Sequence, residues 1–299
     1  APQPARGRRG DRHTAGPFGC SASDGLMLPA PLPHLHEREG RQRLSRRRLS
    51  WQISDDERQP SGWRPADGAD PPRKAPTGGW VSLDDWARLG QDELVMLHED
   101  PWQAVPHLHP RLREEERVSA GEGALFLEYG IALEPGVRLA YLSSHDVPSG
   151  VYRFGGEGHL VQLSCRALPP VLTGLLQEPL VGTFALITAG LWGGPKLSLR
   201  EPIDTSVPNG RHPWHRDGMA PAILTDKPRP WRHRLGEGAN NGRRRLSRGR
   251  WAVPAGSCYR VPGRPLPPWI EWEEAWFPKE GFSFQQLGTA LALPLHGPP

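Results

Sequence analysis

Prolines and glycines, 35 of each among 299 residues, interrupt this chain too often for a long helix or an unbroken strand to form. Such a chain can build short strands, turns and long loops, with helices few and brief. Residues 1–25 carry no apolar periodicity and no initiator methionine, and are expected to be a truncated or disordered start. LMLPAPLPHL (26–35) reads as an extended surface segment, the cationic run 38–50 as a loop or short helix, and 54–80 as a long loop. A helix begins after Ser82, a plausible N-cap followed by Asp84 and Asp85, with Trp86 and Leu89 on one face and Gly90 as its stop. Strands are expected over 122–133 and 137–144, paired as a hairpin through Glu134-Pro135-Gly136. Further strands are expected over 158–168, 182–192, 250–261 (broken at Pro254-Ala255-Gly256) and 287–295.

Charge is distributed in blocks. Residues 1–50 hold 10 cations against 4 acids and 51–210 hold 13 against 22, whereas 211–264 hold 13 against 3. Arginine supplies 33 of the 37 cations, which suits planar recognition of phosphate. No run of about 18 apolar residues crosses a membrane, and no apolar stretch follows the basic start as in a secretory leader. Cys20, Cys165 and Cys258 are odd in number, widely spaced and free of any CxxC, which excludes a zinc ribbon and argues against a disulfide framework. A cytoplasmic protein is expected.

The residues that could carry chemistry fall into several groups. His107-Leu108-His109, with Glu114 and Gly121 downstream, has the spacing of a first cupin metal motif, but Pro101 replaces its first glycine and no second motif follows. His34/His36 and His212/His215 are pairs that 12 histidines generate by chance. Ser257 in PAGSCY has half of a GxSxG elbow, and a glycine turn within a strand is the simpler reading. RFGGEGHLV (153–161) and WGGPK (192–196) place glycines beside Arg153 and Lys196, where backbone amides can approach a phosphate. Finally, Trp214, Trp231, Trp251 and Tyr259 are interleaved with the cations of 211–264, and Arg243, Arg244, Arg245, Arg248 and Arg250 cluster in one segment. Cations with aromatic rings among them suit an RNA backbone and its unpaired bases. The acid-flanked tryptophans of WIEWEEAWF (269–277) suit an interface anchor for a protein partner, with packing on the sheet as the alternative.

In order, EEERVSAGEGALFLEYGIALEPGVRLAYLSS, RFGGEGHLVQL, GTFALITAGLW, RRRLSRGRWAVPAGSCYRV and WFPKEGFSFQQLGTALALPL resemble the third-subunit family of the Cmr complex, RAMP proteins of type III-B CRISPR effectors. The similarity spans about residues 26–296. It implies an α+β protein of ferredoxin-like, RRM-type RAMP modules with antiparallel sheets and long loops: the remainder of an N-terminal module over 26–150 and a C-terminal module over 151–299, with a basic loop at 211–250. Members of the family usually open with a strand, a Phe-Arg-Asp-Gly-Arg-like segment and a small-residue helix; nothing recognisable precedes Leu26, so the first module is expected to be incomplete.

The resemblance also implies a non-catalytic subunit that binds the 5′ tag of the crRNA and docks on the large polymerase-like subunit and a backbone RAMP subunit, with no cofactor, no metal and no membrane. Gly155, Gly156, Glu157 and Gly158 match the family's glycine loop, and Val253, Pro254, Ala255, Gly256 and Ser257 its second turn. The RNA-binding residues expected are therefore Arg153, Gly155, Gly156, Glu157, Gly158, His159, Lys196, Arg243, Arg244, Arg245, Arg248, Arg250, Gly256 and Ser257. Two alternatives stand beside this reading: a RAMP endoribonuclease using His159 as general base, and a cupin-type metal enzyme using His107, His109 and Glu114.

Overall fold

A computed structural model of the chain describes residues 14–22, 25–39, 42–55, 61–65, 79–90, 94–110, 125–154, 158–194, 196–233, 246–261 and 263–296. Strands dominate, helices are few, and every pairing between described strands is antiparallel. An α+β chain of mostly antiparallel strands is thus what the proline and glycine punctuation produces.

The C-terminal sheet holds Thr183–Leu186, Ala222–Leu224, Cys258–Arg260 and Ala292–Pro294. Numbered along the chain, its strands lie side by side in the order 2-3-1-4. The long stretches between its first and second and between its third and fourth strands carry no α-helix among the described residues, only short 3-10 turns before the last strand. The N-terminal sheet holds Thr14–Ala22, Gly25–Pro29, Trp80–Ser82 and Arg138–Ser143, in the order 4-1-2-3, that of a Greek key. A third group pairs Gln42–Gln52 with His34–Glu39, Gly62–Pro65 and Val95–Leu97.

One core joins the two ends of the chain. Leu28, Val81 and Trp86 from the first part cluster with Leu175, Phe184, Tyr259 and Leu293 from the second. Trp86 donates its indole N–H to the carbonyl of Pro294 at 3.0 Å. At the centre Trp214 is fully buried, with ring centroids 4.9 Å from Tyr259, 5.2 Å from Trp192, 5.2 Å from Trp272 and 5.4 Å from Phe184. Edge-to-face and offset contacts of this kind add to the large apolar area such rings bury.

Several expectations are corrected. Residues 14–22 form a strand rather than a disordered start. The segment 26–35 is not a surface strap: Met27, Leu28, Ala30 and Leu32 are buried. The cationic run is mostly strand, Gln42–Gln52, and the supposed loop 54–80 contains the strand Gly62–Pro65. The Glu-Pro-Gly turn does form, with Val137 N–H donating to Glu134 O at 3.1 Å and Gly136 at φ +84°. Its flanking strands nevertheless part company, Leu125–Leu133 pairing with Trp102–Pro110 and Arg138–Ser143 with Thr14–Ala22. A helix over Pro170–Gln177 was not expected; Pro170 suits its first turn, Leu172 and Leu175 bury, and Pro179 turns the chain out of it.

The helix after Ser82 forms as expected: the Ser82 hydroxyl accepts from Asp85 N–H at 3.0 Å over Leu83–Trp86, and a 3-10 turn ends at Gly90. Trp269, Trp272 and Trp276 pack in the core, the alternative to an interface anchor in WIEWEEAWF.

Candidate nucleic-acid interface

Two segments that the sequence presents separately meet in space. Trp192–Gly193 pairs with Ser198–Leu199, and Arg229–Trp231 pairs with Arg250–Ala252. Arg250 stitches these hairpins together by donating from Nη1 to the carbonyl of Gly194 at 2.9 Å, and Trp251 N–H donates to the Ser198 hydroxyl at 3.0 Å. Between them lies a groove of about 430 Å³ whose lining includes Lys196, Ser198, Arg200, Gly249, Arg250 and Trp251.

The charged groups in this region play two different parts. Arg250 is buried; its Nη2 lies 3.7 Å from Glu280 and its guanidinium 5.0 Å from the centroid of the Phe284 ring. It braces the wall of the groove and consumes the Glu280 charge. Lys196, Arg200 and Arg248 are exposed, as is Arg229, which sits 3.9 Å from Asp226. Arg248 uses its backbone N–H on Glu280, at 3.0 Å. Trp251 presents its indole to solvent, 56% exposed. Cations around a groove with an open aromatic face are the components that hold phosphates and stack a base. His233, beside Trp231 and Phe284, has its imidazole pushed below the usual range by burial, against the opposing pull of the Glu280 carboxylate.

The other expected site residues divide clearly. Arg153 and His159 are exposed on the hairpin Gly150–Phe154/His159–Leu163, and the Arg153 guanidinium lies beside Gly158, itself at φ +69°. None of these three lines the groove. Gly155, Gly156, Glu157, Arg243, Arg244 and Arg245 lie outside the described residues.

Gly256 and Ser257, expected to contact RNA, are both buried. The Ser257 hydroxyl meets Thr225 Oγ1 at 2.8 Å and its carbonyl accepts from Leu186 N–H, so the turn is tied into the core. Trp214 and Tyr259, expected as stacking rings, are fully buried for the same reason: each completes the aromatic cluster under the sheet. Of the cupin-type set, His109 Nε2 lies 3.4 Å from Glu128 Oε2, and Glu114 is outside the described residues.

Arg200 and Arg229 were missed as site residues; the only sequence signal for Arg200 was its place a few residues after the WGGPK turn. Also missed was a grouping at Glu201, His212 and His215, whose candidate ligand atoms all lie within 4.8 Å of one another.

The hairpin Trp102–Pro110/Leu125–Leu133 has a second kind of surface. Leu125, Leu127, Tyr129, Ile131 and Leu133 alternate onto one face, opposite Pro110, Leu108, Pro106, Ala104 and Trp102. Leu108, Leu127, Tyr129 and Ile131 are all exposed. A two-stranded ribbon with a bare apolar face is marginal in water and suits a surface that another chain covers.

A family model described as a CRISPR-associated protein, Cas_Cmr3, matches residues 7–261. A comparison with curated proteins finds no match.

Proposed function

From the premise that the chain belongs to the Cmr3 family of CRISPR-associated proteins, and so is a subunit of a type III-B Cmr complex, we propose that it is a non-catalytic RNA-binding subunit that holds the 5′ tag of the crRNA. The observation that carries this reading is the convergence of Lys196, Arg200 and the open indole of Trp251 around one groove, with Arg248 exposed next to its lining residue Gly249. Phosphates of an extended RNA end lie against the cations and a splayed base stacks on the indole. The arginines at 243–245 extend the same basic segment in sequence, and the glycine hairpin with Arg153 and His159 offers a second contact.

The apolar face of the ribbon at 102–133 supports docking onto neighbouring subunits, the large polymerase-like subunit and a backbone RAMP subunit. The 2-3-1-4 order of the C-terminal sheet supports a ferredoxin-like, RRM-type module there, its crossovers replaced by loops, because the split βαβ arrangement places its strands in that order. Among the described residues no helix is long and apolar enough to cross a membrane.

The test is a filter-binding titration of the full chain against guide RNA with and without its 5′ tag, over a salt series. Tighter binding of tagged RNA that weakens steeply with salt is expected; equal binding of both RNAs, or no salt dependence, overturns the reading. Incubation with repeat RNA is expected to leave it intact.

A further inference from the structure

The geometry points to a site for one divalent transition metal of the zinc class, held by Glu201, His212 and His215. Glu201 directly follows the hairpin that forms one wall of the groove, and the chain returns through a closed loop. Asp204 N–H donates to Arg211 O at 2.6 Å and Arg211 N–H to Asp204 O at 3.1 Å, while the Asp204 carboxylate accepts from Ser206 N–H at 2.9 Å. Gly210, at φ +69°, passes over Ile203, where a Cβ would stand 2.6 Å from a methyl carbon. Between the two histidines Trp214 is fixed in the aromatic core. The loop is therefore clamped at both ends, and its histidines are presented by a rigid anchor.

The two imidazoles stack, with centroids 4.5 Å apart and planes at 24°. Both turn a nitrogen to the same oxygen: Glu201 Oε1 is 2.9 Å from His215 Nε2 and 3.4 Å from His212 Nδ1. Ligand atoms about 2.0–2.1 Å from a tetrahedral zinc stand about 3.3 Å from one another. The two spacings to Glu201 Oε1 bracket that value, and all three candidate ligand atoms lie within 4.8 Å of one another.

One hydrogen bond from His215 to Glu201 explains a single contact and leaves two atoms stranded. His212 Nδ1 and Glu201 Oε2 are buried with no hydrogen-bond partner. Such orphans are costly, and a cation between the three side chains would satisfy both. Two imidazoles with one carboxylate favour zinc and its neighbours over magnesium or calcium, which take oxygen. The side chains remain 37%, 31% and 19% exposed for His212, His215 and Glu201, so the cluster lies near the surface although two of its ligand atoms are buried. Three protein ligands with an open position leave room for water or for a ligand atom from a bound partner.

The experiment strips the full chain with a chelator and titrates it with zinc by calorimetry, and with cobalt followed by its visible d–d absorption. One equivalent per chain and an intense, tetrahedral-type cobalt spectrum are expected. His215→Ala and His212→Gln should each weaken zinc at least about 100-fold, and Glu201→Gln about 10-fold or more, while His107→Ala/His109→Ala keeps full stoichiometry. Near-UV circular dichroism of the tryptophan core confirms that each variant is folded. If a variant unfolds, the stoichiometry and cobalt spectrum of the wild type decide. Absence of stoichiometric binding by the folded wild type, an octahedral-type spectrum, or binding that survives loss of both histidines overturns the assignment.

Discussion

The backbone of Gly256 lies against the carbonyl of Ala30 so closely that a Cβ on that glycine would stand 2.6 Å from the oxygen. Leu32 N–H donates to Gly256 O at 2.8 Å, and Gly256 N–H to Leu186 O at 2.7 Å. The turn thus joins an N-terminal segment to the C-terminal sheet, which is a structural reason for glycine at φ +85° independent of any ligand.

Gly256→Ala is therefore expected to destabilise the chain by roughly 2–4 kcal/mol, combining positive-φ strain with a backbone clash. Gly281→Ala, at φ +81° with open space around it, isolates the strain alone at about 1 kcal/mol. Urea unfolding followed by tryptophan fluorescence measures both, and equal losses would remove the clash from the argument.

Arg250 and Arg248 are two residues apart and should behave oppositely. Arg250→Ala leaves Glu280 without its buried partner and removes the contact with Gly194, costing roughly 3–5 kcal/mol. Arg248→Ala leaves stability within about 0.5 kcal/mol but weakens RNA binding. Thermal unfolding and RNA titration of the two variants, run side by side, separate brace from ligand contact.

Trp251→Ala is expected to weaken single-stranded RNA by about 1–3 kcal/mol. The salt slope should hold steady, since no phosphate contact is lost, and with the side chain half exposed the melting temperature should barely move. Titration at several salt concentrations checks both.

His34 is buried, and its imidazole is lowered to about 3, first by desolvation and then by the Arg48 charge. Its folded form stays neutral while the unfolded chain takes up a proton near the ordinary histidine value of 6.5. Stability therefore falls as pH drops from about 6.5 toward 3, with this residue contributing up to about 1.4 kcal/mol per pH unit. His34→Gln should flatten that part of the profile in urea unfolding across the same pH range; an unchanged slope would place the titrating group elsewhere.

What was legible in the sequence was local chemistry. The Ser82 cap, the Glu134-Pro135-Gly136 turn and the break at Pro254-Ala255-Gly256 form where their residue types predict, because each is decided within a few residues. Pairing was not legible. The turn at 134–137 reverses the chain, yet Leu125–Leu133 and Arg138–Ser143 each find partners supplied by segments distant from that turn. Burial was hidden as well: Trp214 and Tyr259 sit among cations in sequence, but their neighbours in space are Phe184, Trp192 and Trp272. Lys196 and Arg248 were both legible as cations beside glycines, whereas the meeting of their two segments depends on Arg250 reaching Gly194 across 56 residues. Glu201 joins His212 and His215 only because the Asp204 and Arg211 backbones close the loop between them.

The most direct test of the central claim is the salt dependence of guide-RNA binding by the full chain and by its Lys196→Ala/Arg200→Ala/Arg248→Ala variant. Each phosphate contact on a single strand contributes about 0.7 to the slope of log K against log salt. A variant that stays folded, binds at least about 10-fold more weakly at low salt and loses about 2 from the slope is the predicted result. A folded variant with the wild-type affinity and slope would contradict the account.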